Sequence, residues 1–183
     1  MKKRLGWPAA GMIVGLMCVS NPAQANGIAT IAYEGTGCPQ GTIGKSISND
    51  RQSMTLIFDS FVASTGPTVP ESEEEKSCRI ALTMQTNESV GITMDTRGYV
   101  QLAAGMTGDQ HQNVPRAKRS NLDIPFVGPV AKDYLVRSTA TVLAQGKPSS
   151  TTVTILLQVG VDKGTNASGQ GQLTTDSFDL KLN

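Results

Sequence analysis

Between residues 151 and 161 the apolar side chains Val153, Ile155, Leu157, Val159 and Val161 fall on every second position, with Thr152, Thr154, Leu156, Gln158 and Gly160 between them. A period of two sends alternate side chains to opposite faces of an extended chain, so this segment predicts a strand with one face in a core. Residues 78–86 repeat the pattern, Cys78, Ile80, Leu82 and Met84 alternating with Arg79, Ala81, Thr83 and Gln85. That phase turns Cys78 inward. Further strands are predicted at 28–34, 54–63, 90–94, 99–104, 123–127, 135–144 and 173–182. Nine short strands with turn-rich connections and no amphipathic helix predict an all-β fold, an antiparallel β-sandwich of jelly-roll-like character.

The segments between strands carry turn chemistry. Residues 64–77 hold Gly66, Pro67, Pro70 and the acidic group Glu71, Glu73, Glu74 and Glu75, and read as an exposed loop leading to Cys78. Residues 105–120, with Gly108, Pro115, Arg116, Lys118 and Arg119, read as a second long loop. Residues 162–171, with Gly164, Asn166, Gly169 and Gly171, read as a third, joining the last two strands as a hairpin.

The N-terminus departs from this pattern. Lys2, Lys3 and Arg4 precede a mostly apolar run from Leu5 to Val19, and Ala23, Gln24 and Ala25 close it with a small-x-small site. Those are the three parts of a signal peptide, so residues 1–25 are expected to be removed, leaving residues 26–183 as one exported domain. The run is broken by Gly6, Pro8, Gly11 and Gly15 and falls short of the ~20 apolar residues of a membrane span. Cys18 raises a lipid-anchored alternative, but Leu16 and Met17 stand where that processing wants small residues, so the anchor is not expected. The expected address is secreted or periplasmic.

Cleavage lowers the formal charge from +1 to −2. That near-neutral value gives no support to nucleic-acid or anionic-membrane binding, which would need a basic patch, so neither partner is expected. Two cysteines remain, Cys38 and Cys78, and an oxidising compartment allows one pairing within the chain, with two separate buried thiols as the alternative. Closing a loop of that length stabilises the fold by about 4 kcal/mol in the chain-entropy account.

Candidate chemistry is sparse. The one histidine, His111, lies in a polar context typical of a surface loop and lacks evident partners for a triad or a zinc site. Asp59, Asp95, Asp123, Asp133, Asp176 and Asp179 lie in or beside predicted strands, and no spacing rule picks two of them as a hydrolytic pair. Asp162 and Asn166, with Thr165, are weak candidates for a calcium site, short of the ligand pattern of a calcium loop. No other cofactor is indicated. The sequons at Asn87 and Asn166 are expected to stay unmodified, because the signal and its Ala-Gln-Ala site look bacterial. Tyr33, Tyr99 and Tyr134 are the tyrosines left after cleavage, and a strand tyrosine commonly packs its ring in the core.

Four pieces of sequence together carry a resemblance: Gly35-Thr36-Gly37-Cys38-Pro39-Gln40-Gly41-Thr42; Leu56 to Phe61 with Asp59 inside it; Ser77-Cys78-Arg79; and Asp95-Thr96-Arg97-Gly98-Tyr99. Over roughly residues 35–105 the chain resembles the DUF4360 family of small secreted proteins, Gly37-Cys38-Pro39 and Arg97-Gly98-Tyr99 being the most specific pieces. The resemblance implies secretion and a Cys38–Cys78 bridge, with no activity attached. Physically, Gly98 suits a bulge or close backbone approach before Tyr99. Asp95 and Arg97 are expected to pair across a turn, and Asp59 to face either solvent or a buried partner such as Arg97.

The leading functional expectation is an exported, non-enzymatic sandwich that acts as a structural or interaction module of the cell envelope or extracellular space. The alternative is a carbohydrate-active domain, binding glycans with or without calcium or hydrolysing them with paired carboxylates. A third reading presents the 105–120 loop to a protein target. The partner is thus a protein or a glycan, and sandwich edge strands leave a homodimer open.

Overall fold

The computed structural model describes residues 27–183 apart from 87, 116, 118–120 and 144–148. The expected signal cleavage at Ala25, Cys18, the sequon at Asn87 and the basic group Arg116, Lys118 and Arg119 lie outside the described residues. Twelve strands are described, with one turn of 3₁₀ helix at Glu71–Glu73: β1 (Gly27–Glu34), β2 (Ile43–Ile47), β3 (Ser53–Phe58), β4 (Val62–Thr65), β5 (Glu75–Thr86), β6 (Val90–Leu102), β7 (Thr107–Asn113), β8 (Asn121–Val127), β9 (Val130–Val142), β10 (Ser149–Asp162), β11 (Gly171–Thr174) and β12 (Ser177–Leu182).

They form two antiparallel sheets. One has five strands in the order β1-β5-β10-β7-β8. The other has seven: β9 runs along one edge of β6 for its whole length, while β12 and then β11 share the opposite edge, backed by β3 and β4, with β2 outermost on β3. The period-two pattern explains the layering. Ile80, Leu82 and Met84 of β5 and Val153, Ile155, Leu157 and Val159 of β10 are buried against Ile92, Met94 and Val100 of β6 and Phe178 and Leu180 of β12. The fold is thus an all-β, two-sheet, antiparallel sandwich with one disulfide, as the alternation predicts.

Cys38, in the turn after β1, is bonded to Cys78 of β5 with a Cα–Cα distance of 5.5 Å, and both are fully buried. Gly37 stands beside them because a side chain there would run into the Phe61 ring.

Several expectations need correction. The strands expected at 90–94 and 99–104 are one continuous β6, so Asp95 to Tyr99 lie in mid-strand and not in a turn. The segments 54–63 and 173–182 each split into two strands. The breaks lie side by side: Phe58 N donates to Asp176 O, and Thr175 N to Phe61 O. Residues 162–171 do not close a hairpin, since β10 belongs to the five-stranded sheet and β11 to the seven-stranded one. The 105–120 segment contains β7, paired on both sides by β10 and β8, and His111 sits in that strand. Its inward positions are Gly108, Gln110 and Gln112, which give no apolar signal. Gln112 is buried because Nε2 donates to Ser138 Oγ and Oε1 accepts from Thr96 Oγ1. The short β2, with mostly exposed side chains, was also without an alternation to betray it.

Candidate functional site

The outer face of the seven-stranded sheet gathers the polar residues of the Asp95-to-Tyr99 piece. With Ile92, Met94, Thr96 and Val100 of β6 turned inward, Thr93, Asp95, Arg97, Tyr99 and Gln101 are turned outward. Register then supplies their neighbours. Asp95 stands opposite Arg137 of β9 and Asp179 of β12; Arg97 opposite Leu135 and Ser177; Tyr99 opposite Asp133; Gln101 opposite Gln172, which faces Ser64 of β4.

A chain of charge-assisted bonds crosses four strands. Arg137 grips Asp95 with both arms, Nε to Oδ1 at 2.7 Å and Nη2 to Oδ2 at 2.6 Å. Arg97 lies 3.6 Å from the same carboxylate and donates to Asp179 Oδ2, while Thr55 Oγ1 of β3 donates to Asp179 Oδ1 at 2.6 Å. With strands about 4.8 Å apart, the row Arg137–Asp95–Arg97–Asp179–Thr55 spans roughly 14 Å. Asp95 is the sheltered member, its side chain 12% exposed, whereas the guanidinium groups of Arg97 and Arg137 stay open to solvent. The hydrogen bonds from Arg137 hold the Asp95 carboxyl below the usual carboxylate range, outweighing its partial desolvation.

This bears on catalysis. A glycosidase-type pair needs one carboxylic acid protonated near neutrality, which an apolar surrounding provides. Asp95 has the reverse environment, and Asp179 is committed to Arg97 and Thr55. The row is built to hold charges and hydrogen bonds in place.

Gly98 fixes the geometry beside it. A side chain at Gly98 would collide with the Thr174 carbonyl oxygen, at the step between β11 and β12, and with the Tyr134 hydroxyl. In that space Tyr134 Oη donates to Thr174 O at 2.5 Å, and burial pushes its pKa upward, so it stays a donor. Tyr134 is therefore the core-packed tyrosine, against Phe126, while Tyr99 faces outward. Beyond Tyr99 a cleft of about 260 Å³ is lined by Ser64, Thr65, Val69, Gln101, Gln170 and Gln172. On the other side a shallow hollow is lined by Arg97, Asp133, Leu135, Asp176 and Ser177.

The remaining candidates fall elsewhere. Asp59 is exposed in the turn after β3, its backbone N–H donating to Thr42 O, and Arg97 pairs with Asp179 and Asp95 in its place. His111 pairs through Nδ1 with Asp123 on the outer face of the five-stranded sheet. Asp162 Oδ1 accepts from Gly164 N within its own loop, and Asn166 Nδ2 donates to Ala104 O in the turn between β6 and β7, so both side chains are engaged in holding loops. Among the described residues no three His, Cys, Asp or Glu side chains are grouped to hold a metal. No helix among them is long and apolar enough to cross a membrane. Sequence reasoning missed Arg137 and Thr55 altogether, because their partners lie 42 and 124 residues away and only strand register brings them together.

The fold and its bridge define an all-β sandwich domain with one disulfide. The chain belongs to the family described as "Domain of unknown function (DUF4360)", whose model matches residues 24–183, so the kinship extends through the whole domain and not only over 35–105. It is 32% identical over 165 residues to an "Uncharacterized secreted protein" of Arthroderma benhamiae (strain ATCC MYA-4681 / CBS 112371), covering 85% of this chain and 66% of that relative's length. Among solved structures, TmCBM61 in complex with beta-1,4-galactotriose is 9% identical, covers 86% of this chain and 90% of its own, and has a TM-score of 0.31. The enzymatically active domain of Bacteriophage CBA120 tailspike protein 4 is 11% identical, covers 84% of this chain and 19% of its own, and has a TM-score of 0.24.

Proposed function

We propose that the domain is a secreted glycan-binding module whose ligand lies on the outer face of the seven-stranded sheet. The observation that carries this reading is the row Arg137–Asp95–Arg97–Asp179–Thr55, with Tyr99 and the amides of Gln101 and Gln172 on the same face. A sugar presents hydroxyl groups that both donate and accept, around a ring with a weakly apolar C–H face. Asp–Arg pairs and glutamine amides offer both kinds of partner, and the Tyr99 ring offers a stacking surface. The ion pairs hold the side chains before the ligand arrives, which lowers the ordering cost of binding. The row neutralises its own charges, so it favours an uncharged saccharide over a uronate or a sulfated chain.

The test is a glycan array with the mature domain, followed by calorimetry on the best ligand for wild type, Tyr99→Ala and Arg97→Ala. The expected result is binding to a neutral oligosaccharide that weakens by about tenfold or more in each variant, a loss of ~1.4 kcal/mol. Silence across the array, or binding unchanged in both variants, contradicts the reading.

A further inference from the structure

Edge strands expose unpaired backbone N–H and C=O groups, and stable proteins blunt them. Most edges here are blunted. β1 has a register irregularity between Ile28 and Thr30, β8 contains Pro125, and β2 and β4 are only five and four residues long. β9 differs. It runs thirteen residues, Val130–Val142, in unbroken register with β6, has no proline, and among the described residues has no strand hydrogen-bonded to its other edge.

Its outward side chains include Asp133, Leu135 and Arg137, and Leu135 is 55% exposed. When two copies of β9 lie antiparallel about a two-fold axis through Leu135, residues whose numbers are equally displaced from 135 face each other. Leu135 then meets Leu135 of the other copy, Asp133 meets Arg137, and Arg137 meets Asp133. Opposite charges directly across an antiparallel pair are favourable and like charges unfavourable. Axes through Asp133 or Arg137 set like charges face to face. The axis through Leu135 sets each Asp133 against an Arg137 that is bonded to Asp95 yet keeps its side chain 65% exposed, and it covers the apolar position.

We infer that the domain forms a two-fold dimer by antiparallel β9–β9 pairing centred on Leu135. The partner is a second copy of this chain, because the edge is complementary to itself. Pairing merges the two seven-stranded sheets into one and sets their outer faces side by side. This follows from the β9 edge alone and does not depend on what the outer face binds.

Sedimentation equilibrium tests the dimer, and engineered cysteines test the register. Wild type is expected to be dimeric. Leu135→Lys, which sets two ammonium groups across the axis, is expected to weaken dimerisation by about tenfold or more. Ile57→Lys, at an equally exposed position on β3, is expected to leave it unchanged. Leu135→Cys is expected to cross-link under mild oxidation, because directly opposed Cβ atoms lie ~5 Å apart, while Thr139→Cys faces Ala131 of the other copy and is expected to stay reduced. A wild type that is monomeric at its highest soluble concentration overturns the inference. So does cross-linking of Thr139→Cys as readily as Leu135→Cys. If Leu135→Lys fails to fold by circular dichroism, the cysteine pair decides.

Discussion

Asp95 is the residue on which the outer face turns, since it is the sheltered member of the row and both arginines reach it. A carboxyl whose folded-state pKa is depressed contributes stability that is fully present above the unfolded value of about 4 and disappears as pH falls through the folded value. Asp95→Asn should therefore lower the melting temperature at pH 7 and flatten its decline on acidification, as thermal melts between pH 7 and pH 3 would show. Gly98 is the second determinant, for a steric reason. Gly98→Ala forces a methyl group into the Thr174 carbonyl and the Tyr134 hydroxyl, and should cost about 2–4 kcal/mol in urea unfolding. The sequence singles out Asp95, Arg97, Gly98 and Tyr99 as neighbours. Their partners Arg137 and Thr55 are invisible there, and Asp179 is only one of six strand carboxylates, because sequence spacing does not encode strand register.

At the scale of elements, the alternation in β5 and β10 places Cys78 and the apolar face of the five-stranded sheet correctly, because buried faces there are built from Ile, Leu, Met and Val. β7 breaks that rule. Its inward positions are a glycine and two glutamines, so a reading by hydrophobicity sees a loop where two neighbouring strands impose a ladder. Gln112 makes this tolerable by bonding Thr96 and Ser138 across the sandwich. Gln112→Ala leaves those hydroxyls without that partner and should destabilise the domain by about 1–3 kcal/mol, measurable by denaturant titration at constant slope. At the breaks between β3 and β4 and between β11 and β12 the alternation changes phase, from Met54, Leu56 and Phe58 to Phe61 and Ala63 and from Leu173 and Thr175 to Phe178, Leu180 and Leu182, and the backbone bonds of Phe58 and Thr175 show that the two strands step together.

At the scale of the molecule, the two sheets have different outer faces. The five-stranded sheet presents the His111–Asp123 pair among scattered polar residues, while the seven-stranded sheet presents a connected row of ion pairs beside an outward tyrosine and a glutamine-lined cleft. The bridge between Cys38 and Cys78 ties the turn after β1 to β5, which suits a secreted domain of this size. The class of fold is legible from periodicity, the compartment from the N-terminal signal pattern, and the bridge from the two remaining cysteines and the family resemblance. The ion-pair row of the outer face is not, since it is assembled from β3, β6, β9 and β12.

The most direct test of the glycan-binding account is a titration of the ¹⁵N-labelled mature domain with the best neutral oligosaccharide from the array, followed by amide chemical shifts. The account predicts shifts concentrated at Asp95, Arg97, Tyr99, Leu135, Arg137 and Asp179, with His111 and Asp123 unmoved. Shifts centred on β7 and β8, or none at saturating ligand, would contradict it.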